Sequence, residues 1–305
     1  MHENMDKKSL TVVIPSYNDV EGLKEFLPGL ITESEKQGWH VIVVNDGSTD
    51  STENFLRSYN GKIKLVSHNA NQGYGVALKS GIAAAETYWV ATIDADGQHR
   101  IEDLRRMSGE IDDTIDALIG VRTAQSHTPT IRRPGKRVLH LIANLLTSSK
   151  IPDINCGLRI FQRDIIMQIF SITSDHFSFS TSALIALLQL KCRVRYTPVL
   201  VTKRLGKSSV KQIRDGFHTI MLMIRLIFLF NPFRILFPIG LAISMLGMIF
   251  LCIHLFVARM TTTTILVWLT GLLVFLFSLI ADQISGMRKD FIIREIKCIR
   301  KKRKY

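Results

Sequence analysis

Residues 88–99 read YWVATIDADGQH, and the carboxylates Asp94 and Asp96 stand where an apolar run gives out. Residues 88–93 have the aromatic and β-branched character of a core strand. Strand side chains alternate, so residues two apart point the same way and both acids turn toward one ligand. Like charges so close repel, and burying a lone carboxylate is costly. A hard divalent cation answers both problems, because it accepts such carboxylates and bridges them to phosphate oxygens. Gly97 lets the chain turn away and leaves room for something bulky. A calcium loop fails on spacing: counted from Asp94, the glycine falls fourth rather than sixth and the twelfth residue is Arg105. For DAD by itself, a solvated turn with two surface acids is an equal explanation.

A third acid, Asp46, stands second in the run NDGSTD after another apolar stretch. Helix capping accounts for Ser48 through Asp50 but not for Asp46. The stretch NQGYGVALKSG at 71–81 is not a dinucleotide fingerprint, since its third glycine position holds Leu78 and it does not follow the first strand. It reads as a glycine turn capping the next helix, with Lys79 near the site. The four cysteines lie far apart without metal spacing or a disulfide framework, which fits reduced thiols in a cytosolic compartment. His218 and His254 read as packing or interfacial residues, Trp89 as core and Trp268 as lipid-facing.

Those residues need a frame. Apolar runs at 10–14, 40–45, 63–66, 88–93 and 116–121 read as strands. Helical segments at 20–37, 49–59, 75–86 and 101–113 lie between them. The alternation predicts an α/β domain with a mostly parallel sheet covered on both faces. Ligands of such sheets bind beyond the strands' carboxyl ends, where PSYND, NDGSTD and DADGQH converge. From 132 to 204 the pattern loosens into a basic helix (132–149), a helix at 181–190 and a strand at 193–199.

The last third is different in kind. Residues 235–258 carry no Asp, Glu, Lys or Arg, and neither do residues 261–281. The first run would make a helix of about 36 Å, enough for a hydrocarbon core of about 30 Å. With only Arg259 and Met260 between them, the two read as a transmembrane hairpin, preceded by interfacial amphipathic helices at 208–232. The formal net charge is +13, of which the basic tail at 288–305 holds +7. Beside apolar runs, that tail suits anionic lipid rather than nucleic acid. The N-terminus lacks the apolar stretch of a signal peptide, and Lys/Arg excess flanks both hairpin ends. The expectation is an integral membrane protein of two spans, with residues 1–207 and the tail cytoplasmic.

In order, the motifs VVIPSYND, VIVVNDGSTD, NQGYGVALKSGI, IDADGQH, PDINCGLRIFQR and GKSSV resemble those of family 2 glycosyltransferases. The resemblance is closest to polyprenyl-phosphate glycosyltransferases similar to dolichyl-phosphate mannose synthase, and it runs from about residue 10 to residue 290. It implies a GT-A (Rossmann-like) fold and a UDP- or GDP-sugar donor. Pro15, Tyr17, Asp19, Asp46, Asp94, Ala95 and Asp96 would bind the nucleotide sugar, with Asp46 on the base. Asp96 and Gln98, with Asp94, would hold Mg²⁺ or Mn²⁺. Arg122, Arg137, Arg204 and Lys207 would handle phosphates of donor and acceptor. Asp153 matches the usual catalytic base, and it would act with Arg159. Three positions depart from the pattern: Asn45 for the first acid of DDGS, Asp19 for Glu and Cys156 for Ser.

The implied reaction is inverting transfer of one sugar to a polyprenyl (undecaprenyl or dolichyl) phosphate. Since a phosphate monoester already carries one to two negative charges near neutral pH, Asp153 either takes a residual proton or positions the acceptor. Two other readings stand beside it: a synthase using another lipid or a polysaccharide acceptor, and a non-catalytic membrane-anchored binding protein. Two spans and the absence of a QxxRW-type motif oppose a processive synthase. The sequence leaves homo-oligomerisation open.

Overall fold

The computed structural model describes residues 8–123, 151–154, 156–202, 221, 224–226, 228–256 and 262–302. They fall into two compact units, Met1–Leu222 with Ile296–Tyr305, and Met223–Glu295.

The first unit is built on alternating strands and helices: β1 (Leu10–Ser16), α1 (Val20–Gln37), β2 (His40–Asn45), α2 (Thr52–Arg57), β3 (Lys64–Ser67), α3 (Tyr74–Ala84), β4 (Trp89–Thr92) and α4 (Ile101–Gly109). Then come β5 (Ala117–Arg122), β6 (Arg159–Gln162), α5 (Arg163–Gln168), α6 (Phe179–Gln189) and β7 (Val194–Val199). Seven strands form one sheet in the order β3-β2-β1-β4-β6-β5-β7. β1, β2, β3 and β4 are mutually parallel, as are β5 and β7, while β6 runs antiparallel to both β4 and β5. The mostly parallel sheet expected from the sequence is therefore present, with one reversed strand that the sequence pattern did not mark.

Residues alternate strictly between the two faces. Leu10, Val12 and Ile14 of β1 pack with Leu23, Leu27 and Leu30 of α1 in one buried cluster. Val13 faces the other way, toward α3, where Ala77, Leu78 and Ile82 are fully buried. Each such leucine is worth about 1.5–3 kcal/mol in transfer from water, so both faces anchor the sheet. α1 stops where Gly38 takes a left-handed conformation (φ 70°) and donates its N–H to Ser34 O.

The second unit holds α7 (Phe233–Phe256) and most of α8 (Thr262–Lys302), each long and apolar enough to cross a membrane. Gly247 lies against the backbone of Trp268 and Gly271 against that of Ser244, so closely that a methyl group would collide. Small residues of this kind let two apolar helices approach backbone to backbone. Most other large side chains on both helices face outward, among them Ile249, Phe256, Leu273 and Phe277. The sequence set a separate basic tail from 288; α8 instead continues as one helix to Lys302. Ile292 and Ile296 are buried on it. Of the expected interfacial helices at 208–232, most residues lie outside the described ones. Those described include the exposed Met221, Ile224 and Phe228 and the buried Leu226 and Phe230.

Candidate active site

β1, β2 and β4 end along one edge, and the loops that follow them build the site. The loop after β1 is locked to the loop after β2 by Asn18, a left-handed residue (φ 50°). Its Oδ1 accepts from Thr49 N (2.7 Å) and Asp50 N (3.3 Å), and its own N–H donates to Ser48 Oγ (3.0 Å). Pro15 is buried inside β1, Tyr17 is exposed and Asp19 is half-buried at the start of α1.

β4 stops at Thr92, and Asp94 and Asp96 follow in the connecting turn, where strand alternation does not set their directions. Asp94 is half-buried and accepts the Tyr74 hydroxyl at 2.8 Å. Its other side faces Gly157, where any Cβ would fall on the carboxylate. Asp96 is buried and accepts the N–H of Gln98 at 3.1 Å, across Gly97 with φ 66°. Gln98 spends its amide nitrogen on Thr202 O (3.1 Å), so Oε1 is the atom it could offer a cation. Ala95, expected among the nucleotide contacts, has its methyl in the core cluster, so any such contact would fall to its main chain.

Two carboxylates and an amide oxygen are hard donors of the kind Mg²⁺ and Mn²⁺ prefer. Among the described residues no group of three or more His, Cys, Asp or Glu is arranged to hold a metal. A cation here would therefore keep several coordination positions for phosphate oxygens and water, as substrate-bound Mg²⁺ does. The residues fit the metal on those terms.

Thr202 also returns its N–H to Gln98 O (2.9 Å), and His99 bridges Val201. These contacts bring Val201 and Thr202 beside the turn that carries the acids. Arg204 and Lys207 themselves, like Arg137, lie outside the described residues. The imidazole of His99 is buried with no partner at Nδ1. Burial, helped by Arg122 and opposed by Asp96, Asp103 and Asp153, brings its pKa down to about 4, so the ring is neutral at physiological pH.

Arg122 closes β5 and grips Asp153 with both arms, Nε to Oδ2 at 2.6 Å and Nη2 to Oδ1 at 2.7 Å. The Arg122 N–H adds a third bond at 3.3 Å. This fork, more than the burial that opposes it, raises the guanidinium's pKa. Asp153 is itself buried, so a carboxylate expected to act as base is presented with both oxygens engaged. Arg159, expected beside it as a catalytic group, is corrected by the structure. It is wholly buried and donates to three main-chain carbonyls, Cys156 O (2.7 Å), Ile154 O (2.6 Å) and Ser180 O. Burial lowers its pKa. Its bonds tie the carbonyls of Ile154, Cys156 and Ser180 together. Burial first, then Asp153, pushes the Cys156 thiol up to about 12, which leaves it no nucleophile.

Asp46 also departs from expectation. It is 2% exposed, and its carboxylate is engaged by neighbouring protein groups. Oδ1 meets His68 Nδ1 (2.7 Å) and Gln72 N (2.9 Å), while Oδ2 accepts Gly73 N (2.8 Å). His68 passes on to Ser80 Oγ at 2.9 Å. Asp46 thus holds the glycine turn that starts α3. Lys79 ties the same region to Asp175 Oδ1 at 2.6 Å. Reading the sequence missed Tyr74, His99 and Asn18; a phenol directly after a glycine turn was the only cue for the first.

A mostly parallel sheet with one reversed strand, and an acid pair on the rim of β4, defines a GT-A glycosyltransferase fold. The chain belongs to glycosyl transferase family 2, whose model matches residues 11–170. Residues 231–287 match the GtrB C-terminal hairpin. The undecaprenyl-phosphate 4-deoxy-4-formamido-L-arabinose transferase of Salmonella typhimurium is 28% identical over 165 residues, 52% of this chain and 50% of that one. The chain thus spans about half the length of the curated relatives it matches. Among solved structures, glucosyl-3-phosphoglycerate synthase of Mycobacterium tuberculosis, held with Mn²⁺, UDP and glucosyl-3-phosphoglycerate, aligns with a TM-score of 0.55. It shares 16% identity, over 72% of this chain and 78% of that one. TarS of S. aureus with UDP-GlcNAc aligns with a TM-score of 0.50 and 19% identity, over 70% and 65% of the two chains. At these identities the likeness is one of fold.

Proposed function

We propose that this protein transfers one sugar from a nucleoside-diphosphate sugar to a polyprenyl phosphate on the cytoplasmic face of a membrane. The reading is carried by one observation: an oxygen donor set, Asp94, Asp96 and Gln98, in a family 2 domain that also carries a GtrB-type hairpin. A lipid acceptor that never leaves the bilayer calls for an enzyme that stays there, and α7 and α8 supply the anchor. Basic residues on both flanks of the hairpin support the cytoplasmic orientation. The curated relatives are named for undecaprenyl phosphate, which supports the acceptor class.

Bound at Asp94, Asp96 and Gln98, Mg²⁺ or Mn²⁺ would supply Lewis-acid stabilisation of the departing diphosphate, worth several kcal/mol. Pro15, Tyr17 and Asp19 line the start of the donor cleft. Asp46 acts one step back, holding the 71–73 turn. Arg122, held by Asp153 and only partly buried, is proposed to offer its positive charge to an anionic acceptor. Arg137, Arg204 and Lys207 are proposed to add phosphate contacts. Asp153 positions Arg122 through its bidentate pair, rather than serving as base.

Mass spectrometry of a short polyprenyl phosphate incubated with UDP- and GDP-sugars and Mn²⁺ tests the reaction. A sugar-phosphoprenol should appear with one donor, and none with any donor contradicts the reading. Asp153→Asn separates the two roles of that carboxylate. Loss of positioning should cut turnover about 100-fold, by the same factor at pH 5.5 and pH 8. A loss confined to pH 5.5 would mark proton abstraction. Gly157→Ala is expected to displace the Asp94 carboxylate, at about 1–3 kcal/mol in stability, and to raise the Mn²⁺ concentration that half-saturates turnover. An unchanged Mn²⁺ requirement would show that Asp94 does not depend on that glycine.

A further inference from the structure

Every contact that shapes the turn before α3 converges on one phenol. Asp46 draws the N–H groups of Gln72 and Gly73 onto its carboxylate at 2.9 and 2.8 Å. Gly73 then takes φ 111°, a conformation side chains rarely adopt, and packs against Asp175. The N–H groups of Gly75 and Val76 both point to Asp175 O, at 3.0 and 3.2 Å. Between these clamps sits Tyr74, its ring stacked on Phe177 at 5.7 Å and 18°. Its hydroxyl reaches Asp94 Oδ1 at 2.8 Å.

We propose that Tyr74 is a positioning residue for the cation site: its donated hydroxyl fixes the rotation of the Asp94 carboxylate, against Gly157 on the opposite side. This rests on the reading of Asp94 as a metal ligand. A carboxylate free to rotate presents its oxygens in many orientations, whereas Mg²⁺ and Mn²⁺ demand near-octahedral geometry. A hydrogen bond from a fixed phenol removes that freedom before the cation arrives, in the way outer-shell partners orient metal ligands elsewhere. Phe177 supports the ring by stacking and makes no bond to the acid. The clamp is distributed over the end of β2, the glycine turn, α3 and the 173–178 loop, which places Asp46 and Lys79 behind Tyr74 in the same support.

The experiment uses the whole chain in nanodiscs and reads Mn²⁺ binding by electron paramagnetic resonance, with UDP and GDP in parallel. Tyr74→Phe, which keeps the ring and its stacking, should weaken Mn²⁺ binding about 10-fold, the loss expected when a second-shell partner is removed. Its melting temperature without cation should fall modestly, by the loss of one hydrogen bond to a charged group, while Mn²⁺ binding weakens as well. Phe177→Leu, which keeps the hydroxyl, should weaken binding less. Mn²⁺ binding by Tyr74→Phe equal to the wild type overturns the proposal. So does a fall in cation-free melting temperature with no change in Mn²⁺ binding, because that assigns Tyr74 to packing. If the wild type itself binds no Mn²⁺ under either nucleotide, the cation reading of Asp94 and Asp96 falls and takes this role with it. The first two outcomes leave the proposed function untouched.

Discussion

Asp116→Ala is expected to be among the most destabilising single replacements in the first unit. Asp116 precedes β5, and its side chain is wholly shielded from water. Arg193 reaches it with Nη2 to Oδ1 at 2.6 Å, Nε to Oδ2 at 3.2 Å and its N–H to Oδ2 at 2.7 Å. Arg300, on the last turns of α8 that belong to this unit, adds Nη2 to Oδ2 at 2.5 Å and Nε to Oδ1 at 3.3 Å. Burial pushes the Asp116 pKa up, but the two guanidinium groups overcome it and hold the net value below the ordinary aspartate range. Removing the carboxylate leaves two cations facing each other and an orphaned N–H. Breaking such a pair costs 3–5 kcal/mol when both partners are buried. The arginine side chains are 39% and 26% exposed and partly recover water, so a loss of about 3 kcal/mol is expected. For a unit of this size that lowers the melting temperature by roughly 5–10 °C. The sign of the pH dependence follows from the lowered pKa. The pair's full contribution is present above the unfolded-state value near 4 and fades as pH falls through the native one. The gap between wild type and variant should therefore hold from neutral pH down to about pH 4 and narrow below it. Thermal unfolding at several pH values reads this, and an equal gap at pH 3 and pH 7 would show that the ion pair is not its source.

Asp96→Asn should remove sugar transfer almost entirely while leaving the fold intact. The asparagine keeps an acceptor for the Gln98 N–H, so the turn at Gly97 survives. What it loses is one formal charge toward a cation. A loss of about 3–4 kcal/mol in transition-state stabilisation corresponds to a 100- to 1,000-fold drop in turnover. Raising Mn²⁺ should restore part of it, because weakened binding is offset by mass action. Steady-state turnover across a Mn²⁺ series, beside the melting temperature, checks both halves. Undiminished turnover would mean that the diphosphate leaves without help from this rim.

Much of the sheet was legible because parallel strands buried on both faces appear as short, nearly continuous apolar runs. LTVVI and HVIVVN could hardly be anything else. β6 escaped notice because RIFQ is only four residues long, opens with an arginine and pairs with strands distant in sequence. The acid pair was legible as residue types where an apolar run gives out, but β4 ends at Thr92 and the pair sits in the turn beyond it, so strand periodicity does not decide where the carboxylates point. The surroundings of Asp46 and Arg159 were hidden for a shared reason. A charged residue in a motif suggests a ligand, yet most partners here are main-chain groups, amides 26 and 27 residues away beside His68 for one and three carbonyls for the other. Main-chain partners leave no trace in residue type. Tyr74 was hidden for the opposite reason: its partner was recognised, but the 20-residue reach from the glycine turn to Asp94 exists only once α3 and β4 are packed.

The most direct measurement is release of nucleoside diphosphate by the chain in nanodiscs, followed with and without a short polyprenyl phosphate, each in Mn²⁺ or in excess chelator. Release is expected only when both lipid and cation are present, matched by sugar gained on the lipid. Release that ignores the lipid, or transfer that persists at full rate in chelator, would contradict a cation-assisted transfer to a prenyl phosphate.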